Sequence, residues 1–188
     1  MGRPSRLTRS CVALLAASVL TSCGSSGANG LTERQIHHAS NQRLVDLVFQ
    51  LALNVESRYS DGRTPLEGAN EAFRSVFLAE EVNYEWGNGG LLQYFVNTDG
   101  AYATEAVRAL RRIGAARQAA VLETAITRFA GEKTRLRSQW KRGIKGINES
   151  YATSRIPELD GQWVDSTDIE ASFIRAHPRQ FVDPSRPG

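Results

Sequence analysis

The chain is 188 residues long, with 41% apolar and 23% charged residues and a formal net charge of +3. That length suits one domain able to bury a core. Its only cysteines are Cys11 and Cys23, so a disulfide framework and cysteine-ligated zinc are excluded from everything downstream.

The first element is a leader. Arg3, Arg6 and Arg9 make a basic start, and no acid precedes Glu33. The apolar run Cys11 to Leu20 is about half of the roughly twenty residues that span a bilayer. A basic start, a short apolar stretch and small residues after it read as a secretory signal. Leu20-Thr21-Ser22-Cys23 resembles the bacterial lipobox, an aliphatic residue and two small ones before the cysteine whose sulfur carries diacylglycerol. The expected division is a signal over 1–22, a lipidated Cys23 with a Gly/Ser coil to residue 30, a domain over 31–182 and a frayed tail over 183–188. The domain then stands in the cell envelope, tied to a membrane by its N-terminus. Gly24, where an Asp would favour the inner membrane, points to the outer one if the host has two.

Removing residues 1–22, which hold three Arg and no acid, leaves 20 basic and 20 acidic residues. The mature chain is neutral and is not a basic nucleic-acid binder. Its charges are sorted: acids dominate 56–105, bases 108–145 and acids again 149–170. Such blocks pair within a fold or lie on solvated faces.

The apolar spacing is helical throughout. Thr32-Glu-Arg-Gln35 has capping-box form, and Ile36, Leu44, Leu47, Val48, Leu51 and Val55 continue a stripe, predicting a helix over about 32–57. Thr64-Pro65-Leu66-Glu67 predicts a second start, running to about Trp86 and stopped by Gly87-Asn-Gly-Gly90. Leu91 to Asn97 is too short for periodicity to decide. Ala103 to Ile113 predicts a helix closed by Gly114, and Ala119 to Phe129 another closed by Gly131. Leu136, Trp140, Ile144, Ile147 and Tyr151 mark a basic helix weakened by Gly143 and Gly146. After Pro157, Ser166 or Asp168 caps a last helix ending near His177-Pro178. The expectation is an all-α single domain of six or seven helices.

Asn88-Gly-Gly-Leu-Leu-Gln-Tyr-Phe-Val-Asn97, followed by Gly100 and Arg112-Ile-Gly-Ala115, resembles a bacterial family named for the C-terminal domain of a DNA-mimic protein. Pro157-Glu-Leu-Asp160 and Ile174 to Phe181 also fit, so the resemblance covers about 40–182. A Tyr84-Glu-Trp-Gly87 spacer departs from the pattern and blurs whether Glu81 or Glu85 holds the family's acidic position. The resemblance implies an all-helical fold. It implies DNA mimicry only for a densely negative surface, which a neutral chain lacks.

The candidate interaction residues are Asn88, Gly89, Gly90, Gln93, Tyr94 and Asn97. On a helix Gln93 and Asn97 share a face. They form either a polar recognition spot beside exposed Tyr94 and Phe95 or amides that satisfy exposed helix ends. Glu81 and Glu85 also share a face; a solvated face is expected there, an acid–base pair being the alternative. Adjacent His37 and His38 lack metal-ligand spacing, and His177 fits a helix C-terminus. Trp86, Trp140 and Trp163 read as core residues, and Asp160 and Asp165 as turn or cap residues. No catalytic motif, metal site or cofactor is found. The resulting reading is a membrane-anchored, non-catalytic module that binds an unidentified envelope protein and no nucleic acid. The alternatives are an envelope hydrolase using the acids near 80–85 and 160, and a DNA-mimic inhibitor of a DNA-binding protein.

Overall fold

Residue 32 opens the first helix as its spacing predicts. In the computed structural model, which describes residues 30–58 and 68–184 (without the side chains of 54–58), the Thr32 hydroxyl accepts from Gln35 N at 3.2 Å. The Gln35 side chain accepts from Thr32 N at 2.8 Å. The helix ends early. α1 is Glu33–His38, because Ala39 is extended and Ser40 Oγ accepts from Arg43 N at 3.3 Å to start α2, Asn41–Arg58. One expected helix is therefore two, divided at a serine suited to capping.

The rest are α3 Glu71–Gly89, α4 Leu91–Thr98, α5 Ala103–Ile113, α6 Ala116–Trp140, α7 Ile144–Thr153, a 3-10 helix Ile156–Gln162, α8 Thr167–Ala176 and α9 Pro178–Val182. The expected Thr64-Pro65 start lies outside the described residues. Within them α3 begins at Glu71, where Asn70 Oδ1 accepts from Phe73 N at 3.0 Å. It runs past Trp86 and stops at Gly90 (φ 80°). Leu91 to Asn97 is helical.

Gly131 does not end its helix. It is exposed, and a Cβ there would meet nothing within 4 Å. A glycine costs a helix about 1 kcal/mol, which 25 residues packed along one face absorb. The break comes at Gly143 (φ 68°), so the predicted basic helix is the end of α6 followed by α7. The α8 start also differs: Asp165 Oδ1 accepts from Thr167 N at 2.7 Å, while the Ser166 hydroxyl turns to Glu170. Short pieces raise the total to nine α-helices and one 3-10 helix among the described residues. The fold class is all-α, in one domain.

α3 is the axis of the core. Its Val76, Ala79 and Val82 are fully buried, and it touches α2, α4, α5, α8 and α9. An aromatic column continues from it: Phe95 stacks on Phe129 (4.5 Å), and Phe129 on Trp140 (6.0 Å). Trp163 is buried; Trp86 and Trp140 are core-edge residues. The two ends of the domain meet. Leu31 N donates to Phe181 O at 2.7 Å, and Asn70 N to Pro184 O at 2.6 Å. Asp183 and buried Pro184 are thus tied down, while 185–188 lie outside the described residues. The sequence's charge blocks pair across helices, in Glu71–Arg112, Asp99–Arg137, Arg128–Glu158 (2.9 Å) and Arg142–Glu149 (2.6 Å). No described helix is long and apolar enough to cross a membrane.

Two glycines test this reading of the helix breaks. A Cβ on Gly146 would lie 1.7 Å from Gln139 O. Gly146→Ala is expected to destabilise the domain by about 2–3 kcal/mol, as overpacking does. Gly131→Ala should stabilise it by about 0.5–1 kcal/mol. Urea midpoints of the two variants should move in opposite directions.

Candidate functional site

The Asn88–Asn97 segment is the joint between α3 and α4, and each of its glycines answers to a particular neighbour. A Cβ on Gly89 would sit 2.9 Å from the Tyr151 hydroxyl; one on Gly90 would sit 2.3 Å from Asp160 Oδ2. Gly90 also has a positive φ, which side chains other than glycine's rarely adopt. The Asp160 carboxylate, brought by the 3-10 helix, accepts the Leu91 amide at 2.7 Å. It caps α4 from 69 residues away. The capping role expected of Asp160 is correct, but its client is a distant helix.

A chain of side-chain hydrogen bonds runs along the joint. Tyr151 Oη donates to Gln93 Oε1 (2.9 Å), Gln93 Nε2 to Asn97 Oδ1 (3.0 Å), and Asn97 Nδ2 to Glu85 Oε2 (2.7 Å). Asn88 also bonds Glu85. The amides thus hold one another, a tyrosine and a carboxylate, not the open helix ends. Asn88 and Asn97 are exposed; Gly89, Gly90 and Gln93 are half-buried. Tyr94 and Phe95 are fully buried, so the alternative with an aromatic recognition surface is overturned. The site that remains is polar.

The face expected to be solvated is not open: Glu85 is buried and Glu81 half-buried. Glu80 and Glu85 are 7% and 6% exposed, and Glu170 is fully buried. Asn83 organises the deeper group. Its Nδ2 donates to Glu170 Oε1 (2.8 Å), Ser166 Oγ (2.9 Å) and, more weakly, Glu80 Oε2 (3.3 Å). Its Oδ1 accepts from Trp163 Nε1 at 3.1 Å, and Ser166 Oγ donates to Glu170 at 2.6 Å. Burial lifts the Glu80 carboxyl to about 7, against the Asn83 bond and helped by the charges of Asp165 and Asp46. Burial, reinforced by Glu80, lifts Glu170 well above its ordinary range. Burial also raises Glu85 and Asp160, each restrained by the hydrogen bonds it accepts. Nothing in the spacing pointed to Glu170, Ser166 or Tyr151 as partners of α3 and α4. The available signal was the pair Glu80 and Asn83, three residues apart on the face of α3 that also carries apolar Val76 and Ala79.

His37 and His38 are exposed. His177 caps α8, with Nδ1 2.9 Å from Phe173 O and its ring 4.3 Å from that of Phe173. Among the described residues no three His, Cys, Asp or Glu side chains gather as metal ligands would.

Fold and joint together define an all-α domain built on a glycine-hinged helix pair over buried carboxylates. A family model described as DMP19-like protein matches residues 67–177, from just before α3 to the end of α8. The chain belongs to the DMP19-like protein family. No curated protein and no solved structure matches it. α1, α2 and α9 lie outside the matched stretch.

The joint and the buried acids generate separate predictions. Asp160→Ala removes a helix cap and is expected to cost about 1–2 kcal/mol. Gly90→Ala adds backbone strain and a clash with Asp160, and should cost more, about 3 kcal/mol or above, in thermal unfolding. For Glu80, whose pKa is higher folded than unfolded, the folded state binds more protons between pH 4.5 and about 7. Its contribution is therefore fully present below pH 4.5 and is lost as pH rises through about 7. The stability gained by Glu80→Gln over the native chain should grow across that window, to about 2 kcal/mol at pH 7.5. Unfolding of both proteins at a series of pH values measures it.

Proposed function

We propose that this protein is a membrane-anchored lipoprotein of the cell envelope whose helical domain is a non-catalytic module for binding another protein. The anchor rests on residues 1–23: three arginines, a short apolar run and a lipobox-like Leu20-Thr21-Ser22-Cys23. The described domain opens at Gly30, seven residues beyond Cys23. A Cβ on that glycine would fall 2.2 Å from Val182 O. Gly30, the last residue assigned to the tether, is thus already packed against the domain.

The observation that carries the interaction reading is the exposed amide of Asn97, held by Glu85 and Gln93 beside exposed Asn88. A polar group already fixed in place loses little freedom when it binds, so more of its hydrogen-bond energy appears as affinity. Asn88, Gly89, Gly90, Gln93 and Asn97 form the proposed surface; Tyr94 supports it from inside. The acids support catalysis less well. Glu80 and Glu170 have the raised pKa values that a hydrolase uses, but they are enclosed and bonded to Asn83 and Ser166, out of a substrate's reach. DNA mimicry fits less well too. Acidic and basic residues are equal in number over the described residues, and burial takes Glu80, Glu85 and Glu170 off the surface.

Fatty-acid labelling and fractionation test the anchor. The native protein should take label and sediment with membranes, and Cys23→Ala should take none. Cross-linking in cells followed by affinity capture tests the module. One envelope protein should be enriched by the native chain and lost with a folded Gln93→Ala/Asn97→Ala variant. Equal capture by that variant would remove the surface from the proposal.

A further inference from the structure

The turn between α6 and α7 presents an apolar side chain to solvent inside a basic patch. Ile144 is 79% exposed, the most exposed large apolar residue described. Residues 133–145 hold six Lys or Arg and no acid. Three of the arginines are committed elsewhere: Arg135 to Glu132 and Thr153, Arg137 to Asp99, and Arg142 to Glu149. Lys133 lies over the Phe129 ring. Lys141 and Lys145, on either side of the tip, are exposed and have no ion pair among the described residues.

The exposure is built in. Gly143 takes φ 68°, and Gly146 packs so tightly that a Cβ would meet Gln139 O at 1.7 Å. Beneath the turn, Trp140 donates from Nε1 to Ser150 Oγ at 3.2 Å and stacks on Phe129. The scaffold thus holds Ile144 outward, although an isoleucine in water is unfavourable.

We infer that this turn is a membrane contact: Ile144 enters the headgroup boundary of an anionic bilayer while Lys141 and Lys145 meet its lipid phosphates. One protruding isoleucine is too small for a protein interface, which buries about 800 Å² per partner. It suits insertion at a lipid surface, where an apolar tip and flanking cations act together. The contact is separate from the proposed lipid anchor and from the Asn88–Asn97 surface.

The test is hydrogen exchange of the full chain with phosphatidylglycerol-containing vesicles, and with phosphatidylcholine vesicles as reference. Residues 140–147 should gain protection only on the anionic vesicles. Ile144→Ser and Lys141→Glu/Lys145→Glu should each abolish that protection and, for the charge pair, weaken vesicle binding on the order of tenfold. A chain that binds these vesicles with 140–147 unprotected, or that does not bind them, overturns the inference and leaves the Cys23 anchor to its own labelling test. Equal protection by soluble polyglutamate would assign the turn to an acidic macromolecule and overturn the bilayer contact. Circular dichroism establishes that both variants are folded.

Discussion

The Asp160 carboxylate against the Gly90–Leu91 backbone is the contact on which the arrangement depends. α3 and α4 are joined by a single residue, which leaves the first amides of α4 facing protein. An unpaired buried amide costs roughly 1–3 kcal/mol. Here the Leu91 amide is answered from another part of the chain, and the approach is so close that only glycine fits. Fixing α4 in this way also fixes Tyr94 and Phe95, and through Phe95 the ring column to Phe129 and Trp140. The same contact orients Gln93 and Asn97 outward. Core and candidate surface are thus two faces of one short helix.

The buried carboxylates show how polar groups are accommodated at the back of α3. An ionised carboxylate in an apolar interior is unfavourable unless paired, and among the described residues no cation faces Glu80 or Glu170. The solution is neutralisation by protonation together with a shared amide, Asn83, whose side chain joins α3, Trp163 and α8. Such a network fixes the register between helices more than it adds stability: Asn83 meets its partners in this arrangement, and Glu170 Oε2 is still left without a hydrogen-bond partner. That makes the acids part of the scaffold.

What was legible in the sequence followed from local rules. The Thr32 capping box, the Gly114 stop and the helical stripes of α2, α3 and α5 depend on residues within a few positions, so one segment suffices to read them. The errors came from distance. Gly131 resembles Gly143 in sequence, yet packing carries α6 through the first and the chain turns at the second. The alternative that places Tyr94 and Phe95 at the surface fails because α4 turns both rings into contact with α3, α6 and the 3-10 helix, which nothing within the segment signals. Glu81 and Glu85 are expected on a solvated face because nothing local says that the rest of the fold will cover them.

The charge pattern needs the same distinction between a sequence and its folded surface. The acidic block 56–105 and the basic block 108–145 look like opposed docking faces. In the fold they meet only in part, in Glu71–Arg112 and Asp99–Arg137, while Glu80 and Glu85 are buried in the interior. What remains unpaired is therefore more informative than what is abundant. Among the described residues Lys141 and Lys145 form no ion pair, at a turn that also exposes Ile144, although Arg137 and Arg142, four and one positions from Lys141, pair with Asp99 and Glu149. The turn thus combines two cations outside the ion pairs of the described residues with an outward isoleucine that the domain's own packing does not use.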